Sequence, residues 1–164
     1  MILRSVPWDD PGATTLRTAQ RDELTIRYGT PDSEPGVLPS ADDIAIFLVA
    51  YDDAGTPIGC GGLRELDPTE GEIKRMFVAP ASRGTGVSTA ILTALEDAAR
   101  ARGWLRLVLE TGSEQPDAMR FYEREGYASI PNYGHYVGSE LSRCYEKSLV
   151  TGDPAADALC EGCQ

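Results

Sequence analysis

After three strand-like runs the hydrophobic pattern of this chain changes to a helical period near residue 80, and that change restricts the folds open to it. Before it, three runs read as strands: IAIFLVAYD (44–52), PIGCGGLREL (57–66) and EIKRMFV (72–78). Asp53-Ala54-Gly55 supplies the turn between the first two, and residues 67–71 the turn between the second and third. Connections this short join antiparallel neighbours, so the runs form a meander. After it, Val87, Ala90, Ile91, Leu95 and Ala98 recur at helical spacing, predicting a helix to about Arg102 with Gly103 as its stop. LRLVLET (105–111) then reads as a buried strand, and Pro116 opens a helix, PDAMRFYERE, that Gly126 ends. Outside this centre, residues 2–6 read as a short strand and about 14–28 as a helix carrying Leu16, Ala19, Leu24 and Tyr28 on one stripe. A Pro-, Gly- and Asp-rich loop follows over 29–43, and 127–130 and 145–150 are candidate last strands. The class is α/β. One domain is expected over 1–150, with a loosely held acidic tail over 151–164.

Charge and length exclude several functions. Of 164 residues, 15 are Lys or Arg and 26 are Asp or Glu, a net charge of -11. Nucleic-acid binders need clustered basic charge to displace counterions, so no nucleic-acid partner is expected, whereas cationic molecules are attracted by the overall field. No apolar run approaches the ~20 residues of a membrane helix, and the start MILRSVPWDDPG lacks a secretory pattern, so a cytoplasmic protein is expected. Cys60 and Cys144 lie in apolar strand-like stretches, where a thiol acts as a small hydrophobe. Cys160 and Cys163 form a lone CxxC, half of a zinc site, so no metal is expected.

The segment most informative about function is VAPASRGTGVSTAIL. Gly84 and Gly86 remove side chains just before a helix, whose first-turn amides and dipole favour an anion. Arg83 adds a fork suited to phosphate oxygens. Two glycines before a helix also occur at junctions that bind nothing. A dinucleotide site is a further reading, because Glu110 ends the next strand where a ribose-binding acid would stand. Against it, residues 79–83 separate strand from glycines, Thr89 occupies the third glycine position, and the chain is short for a doubly wound domain. No Gly-Lys pair exists, which excludes a Walker loop.

Arg83-Gly84-Thr85-Gly86-Val87-Ser88 resembles the (Q/R)-x-x-G-x-(G/A) pyrophosphate turn of the GNAT superfamily of acyl-CoA N-acyltransferases. KRMFVAP before it and PDAMRFYEREGY after the next strand agree, the latter similar to the family's A-x-x-(F/L)-Y-E-x-x-G-(F/Y). Ser88 departs from the usual Gly or Ala but is still small. LETGSEQPDAMRFYEREGY with YGHY and SRCYEK resembles a bacterial subgroup given small-molecule substrates. Over about residues 1–150 the resemblance implies a mixed, mostly antiparallel central sheet flanked by helices. It implies acetyl-CoA as co-substrate, with the pyrophosphate on Arg83, Gly84, Thr85, Gly86, Val87 and Ser88. It also implies pantetheine against the backbone of Met76, Phe77 and Val78, with Gln115 and Ala118 beside the arm.

Acetyl transfer to an amine needs a neutral amine, a stabilised oxyanion and a protonated leaving thiolate. The resemblance puts Tyr122 at the family's frequent general acid, and a phenol of pKa about 10 giving a proton to a thiolate of pKa about 8.5 is only mildly uphill. From spacing alone Tyr122, Phe121 and Tyr127 read as core; the resemblance reverses that preference. Glu72 stands where some members carry a catalytic glutamate, and also reads as a solvated strand-edge carboxylate. Glu110, ending a buried strand near the expected cleft, competes as the base. On the acceptor side the resemblance implicates the wall formed by helix 14–28 and loop 29–43. Its polar candidates are Glu23, Arg27 and Tyr28, with His135 of the aromatic NYGHY loop approaching opposite. The expected activity is acetylation of a small-molecule amine by direct attack on the thioester. The competing readings are a non-catalytic acyl-CoA-binding module and a nucleotide-binding domain. A homodimer is one possible assembly.

Overall fold

The computed structural model describes residues 1–31 and 33–150. The expected tail, with Cys160 and Cys163, lies outside the described residues. The elements are β1 (Ile2–Ser5), α1 (Pro11–Tyr28), β2 (Ile44–Tyr51), β3 (Pro57–Asp67), β4 (Glu70–Val78), α2 (Val87–Ala101), β5 (Arg106–Gly112), α3 (Pro116–Arg124), β6 (Ala128–Ile130) and β7 (Ser142–Ser148). They build a seven-stranded sheet in the order β1-β2-β3-β4-β5-β7-β6. β4 and β5 pair in parallel, while the other neighbours are antiparallel. The mixed, mostly antiparallel sheet expected from the sequence is what forms, and a doubly wound parallel sheet is excluded.

Strand β2 shows why both faces are covered. Successive side chains point to opposite faces. Phe47 and Val49 accordingly join Ala13 and Leu16 of α1 on one face, with Cys60 and Phe77. Leu48 and Ala50 join Val87, Ile91, Leu92 and Leu95 of α2 on the other, in the cluster that includes Tyr122 of α3. A run that is apolar at every position thereby serves two cores.

Three element boundaries move. Helix α1 starts at Pro11, not near 14, because the Asp10 carboxylate caps it by accepting from the Gly12 and Ala13 amides at 2.9 and 3.1 Å, with Pro11 at the first helical position. β4 starts at Glu70: Asp67 Oδ1 accepts from the Thr69 amide at 2.7 Å and tightens the preceding turn to residues 68–69. β7 spans Ser142–Ser148, not 145–150, because pairing with β5 from Gly112↔Ser142 to Arg106↔Ser148 imposes strand on its polar start.

The pairing of β4 with β5 runs only from Glu70↔Arg106 to Ile73↔Leu109. Beyond it the strands part, leaving residues 74–78 of β4 and 110–112 of β5 facing a gap. On its other edge β4 bulges: Cys60 pairs with Phe77 and Gly62 with Lys74, so Gly61 faces both Arg75 and Met76. Arg75 takes φ 58 there, a left-handed conformation costly for a residue with a Cβ. No helix among the described residues is long and apolar enough to cross a membrane.

Candidate active site

The gap between β4 and β5 opens into a cleft of about 100 Å³. Met76 of β4, Glu110 of β5, and Gln115, Ala118 and Tyr122 at α3 line it, and Tyr28 closes one end from α1. Tyr28 reaches so close to Gly112 that a Cβ there would lie 1.7 Å from its hydroxyl, and that hydroxyl accepts from the Glu114 amide at 3.2 Å. Only glycine at 112 permits this approach.

Tyr122 is held by its ring, with centroids 5.1 Å from Phe121, 5.7 Å from Tyr127 and 6.5 Å from Tyr145. Burial pushes its phenol above the usual range, which keeps it protonated and suits it to donate, not accept. The energetics drawn from a free phenol change accordingly: donation from this group is harder in isolation.

The two candidate bases separate. Glu72 is not a solvated edge residue: it is 2% exposed, the Tyr133 hydroxyl donates to it, and Arg64 and Lys74 pair with it at 3.5 and 3.7 Å. Its oxygens are thus engaged, and it does not line the cleft. Glu110 does line it. Burial, with the neighbouring charge of Glu34 next and that of Glu72 adding less, pushes its carboxyl up to about 7, against a Ser142 hydrogen bond and the Lys74 charge that lower it.

At the glycine turn Gly84 and Gly86 adopt φ 76 and 86, and a Cβ on either would meet nothing within 4 Å. The glycines serve the backbone conformation and leave open space over the start of α2, which no side chain caps. Uncapped first-turn amides beside open space, in line with the β4–β5 gap, fit a phosphate-bearing cofactor. Arg83 is already engaged, donating to the Val78 carbonyl at 3.0 Å and to Glu23 at 2.6 Å.

That contact relocates Glu23. Expected on the acceptor wall, it lies instead at the glycine turn, and exposed Arg27 pairs with it at 3.7 Å. Helical geometry explains both, since residues four apart share a face and this face looks toward Arg83. His135 is exposed and packs on Gly36 of loop 29–43 without lining the cleft. Of the four acceptor-side candidates, Tyr28 alone lines the cleft. Sequence reasoning missed Gln20, Glu34, Lys74 and Arg75, which do line it. Lys74-Arg75 carried a readable signal, two adjacent cations between the apolar Ile73 and Met76-Phe77-Val78 of one strand. Glu34, one acid in an acidic loop, carried none.

Comparisons with known proteins fit this geometry. The acetyltransferase (GNAT) family model matches residues 13–127. The "IAA acetyltransferase" of Azospirillum brasilense is 40% identical over 104 residues, spanning 63% of this chain and 67% of that protein. A crystal structure from Klebsiella pneumoniae assigned as an acyl-CoA N-acyltransferase superposes with TM-score 0.77 at 29% identity, covering 91% of this chain and 97% of that one. The PaiA N-acetyltransferase of Thermoplasma acidophilum, in complex with coenzyme A, shares the fold at TM-score 0.66 and 18% identity, covering 90% and 99%.

Proposed function

The chain belongs to the acetyltransferase (GNAT) family, and from that premise we propose that it transfers an acetyl group from acetyl-CoA to the primary amine of a small molecule by direct attack on the thioester. The observation that carries this reading is the meeting of Glu110, Tyr122 and the parted stretch of β4 around one cleft. Acetyl-CoA supplies the activated acyl group. The amides of residues 83–88 hold its pyrophosphate. The Phe77 amide faces β3, as the Ala79 amide does in donating to the Ile58 carbonyl at 2.9 Å, so the alternate N–H groups of Met76 and Val78 are the ones left to hold the pantetheine arm and favour negative charge on the carbonyl oxygen. Gln115 and Ala118 border the arm, the first with a polar amide and the second with room.

Glu110 accepts the proton of the incoming ammonium. A carboxyl pushed up to about 7 is a better base than an ordinary glutamate and is half ionised near neutrality. Tyr122 Oη delivers a proton to the departing sulfur. A small acceptor is favoured because Tyr28, Ser33 and Glu34 are among the side chains that wall the cleft. The test is release of free thiol from acetyl-CoA across a panel of amines. Turnover that Glu110→Gln depresses supports the assignment; no turnover with any amine, alongside tight CoA binding, would make the chain a binding module.

A further inference from the structure

Two cations of a chain with net charge -11 stand at this cleft. Lys74, 5% exposed, and Arg75 both line it from β4. A second cavity of about 270 Å³ adjoins it, sharing Gln20, Leu24, Ser33, Glu34 and Arg75. Its walls include Arg17, stacked 3.7 Å over Trp8, and the apolar side chains of Leu38 and Pro39. Among the described residues lining this cavity, Glu34 is the one carboxylate against three arginines.

Glu34 sits where the cavities join. It accepts from Lys74 Nζ and, at 2.7 Å, from Arg75 Nη1. Burial works against its charge, but the two cations and their hydrogen bonds win and hold its carboxyl below the usual range. The cations belong to a sheet strand whose bulge fixes Arg75, whereas their anion arrives on an irregular loop from 40 residues away. The exchangeable member of this triad is therefore the carboxylate. Nearby, Gln20 donates to the Met76 carbonyl at 2.9 Å, while its Oε1 is buried without a partner. A buried acceptor left unpaired is costly unless a ligand supplies the donor, and an amine does so.

We infer that Lys74 and Arg75 form a carboxylate subsite, that Glu34 fills it in the absence of the acceptor, and that the acceptor is an amine bearing a carboxylate and an apolar body. This deepens the acetylation reading and rests on it for the amine, whereas the carboxylate subsite stands on geometry alone. The apolar body packs among Trp8, Leu24 and Leu38.

The test uses probes without an amine. Calorimetry on the full chain compares 3-phenylpropionate with 3-phenylpropanamide, which differ only in the charged end. The acid is expected to bind about tenfold tighter or more, as a charge-assisted pair commonly provides. Glu34→Gln removes the competing carboxylate and is expected to tighten the acid about tenfold while leaving the amide unchanged. Arg75→Gln is expected to erase the preference. Equal binding of acid and amide by the wild type, or no tightening by Glu34→Gln, overturns the subsite, so the decision does not depend on the folding of the Arg75 variant. Thiol release with phenylalanine and phenylalaninamide separates the two readings. Acetylation of both without preference refutes the carboxylate subsite and leaves acetylation standing. Acid-selective binding without thiol release from any amine refutes acetylation and leaves the subsite standing.

Discussion

Glu110 and Tyr122 owe their proposed roles to burial acting on opposite starting points. Burial raises both, bringing the carboxyl into the physiological range and moving the phenol further above it. One becomes a usable base and the other a permanent donor. kcat/KM for the acceptor is expected to rise with pH through about 7 as Glu110 ionises, and Glu110→Gln should remove that rise while leaving CoA affinity intact. A pH–rate profile of both proteins checks this; an unchanged profile in the variant would transfer the role to another group. Tyr122→Phe keeps three ring contacts and loses only the proton, so its melting temperature should move little while kcat falls about 10²–10⁴-fold. Thioesters with more acidic leaving thiols should shrink the defect. Full activity with chemistry rate-limiting would return Tyr122 to the core.

At the scale of elements, the proposed cofactor site depends on how β4 leaves β5 and how the chain then enters α2. Gly86 stands at φ 86 with open space beyond. A valine there strains the backbone and fills the approach to the amides. Gly86→Val is therefore expected to weaken CoA binding by tenfold or more, on the order of one charge-assisted contact. Unchanged affinity in a folded variant would move the pyrophosphate elsewhere. The helix α1 acts on the same turn from outside, because Glu23 occupies Arg83. Glu23→Gln releases the guanidinium for phosphate and should tighten CoA binding by roughly two- to fivefold, the modest range of an exposed pair, with the gain fading at high salt. Calorimetry at two ionic strengths measures both variants.

For the whole molecule, carboxylates in the cleft set an opposing pH dependence of stability. Glu110 has a folded pKa of about 7 against an ordinary value of 4.5. Its contribution is most favourable below the unfolded value and is lost as pH rises through about 7. Glu34 is lowered, so its contribution is present above its unfolded value and lost as pH falls through its folded one. Stability should thus fall on both sides of mildly acidic pH. Glu110→Gln should raise stability at pH 8 by roughly 3 kcal/mol, the order set by its shift, and change little at pH 4.5. Denaturant unfolding at the two pH values tests the sign.

The amino-acid sequence by itself determined the elements and the glycine turn proposed for the cofactor, because periodicity, capping residues and such a turn are local and each is read within a few positions. The strand–helix alternation, the Arg83–Ser88 turn and the Tyr122 motif were all legible this way. The residues proposed to face the acceptor were brought together only by tertiary structure. Nothing in the local pattern brings Glu34 across 40 residues to Lys74, buries Glu72 against Tyr133 across 61, or turns Glu23 toward Arg83 across 60. Charge meets charge there through the packing of loop and helix on the sheet. The burial that moves Glu110 toward neutrality is likewise a property of its assembled surroundings, not of a glutamate at the end of a strand.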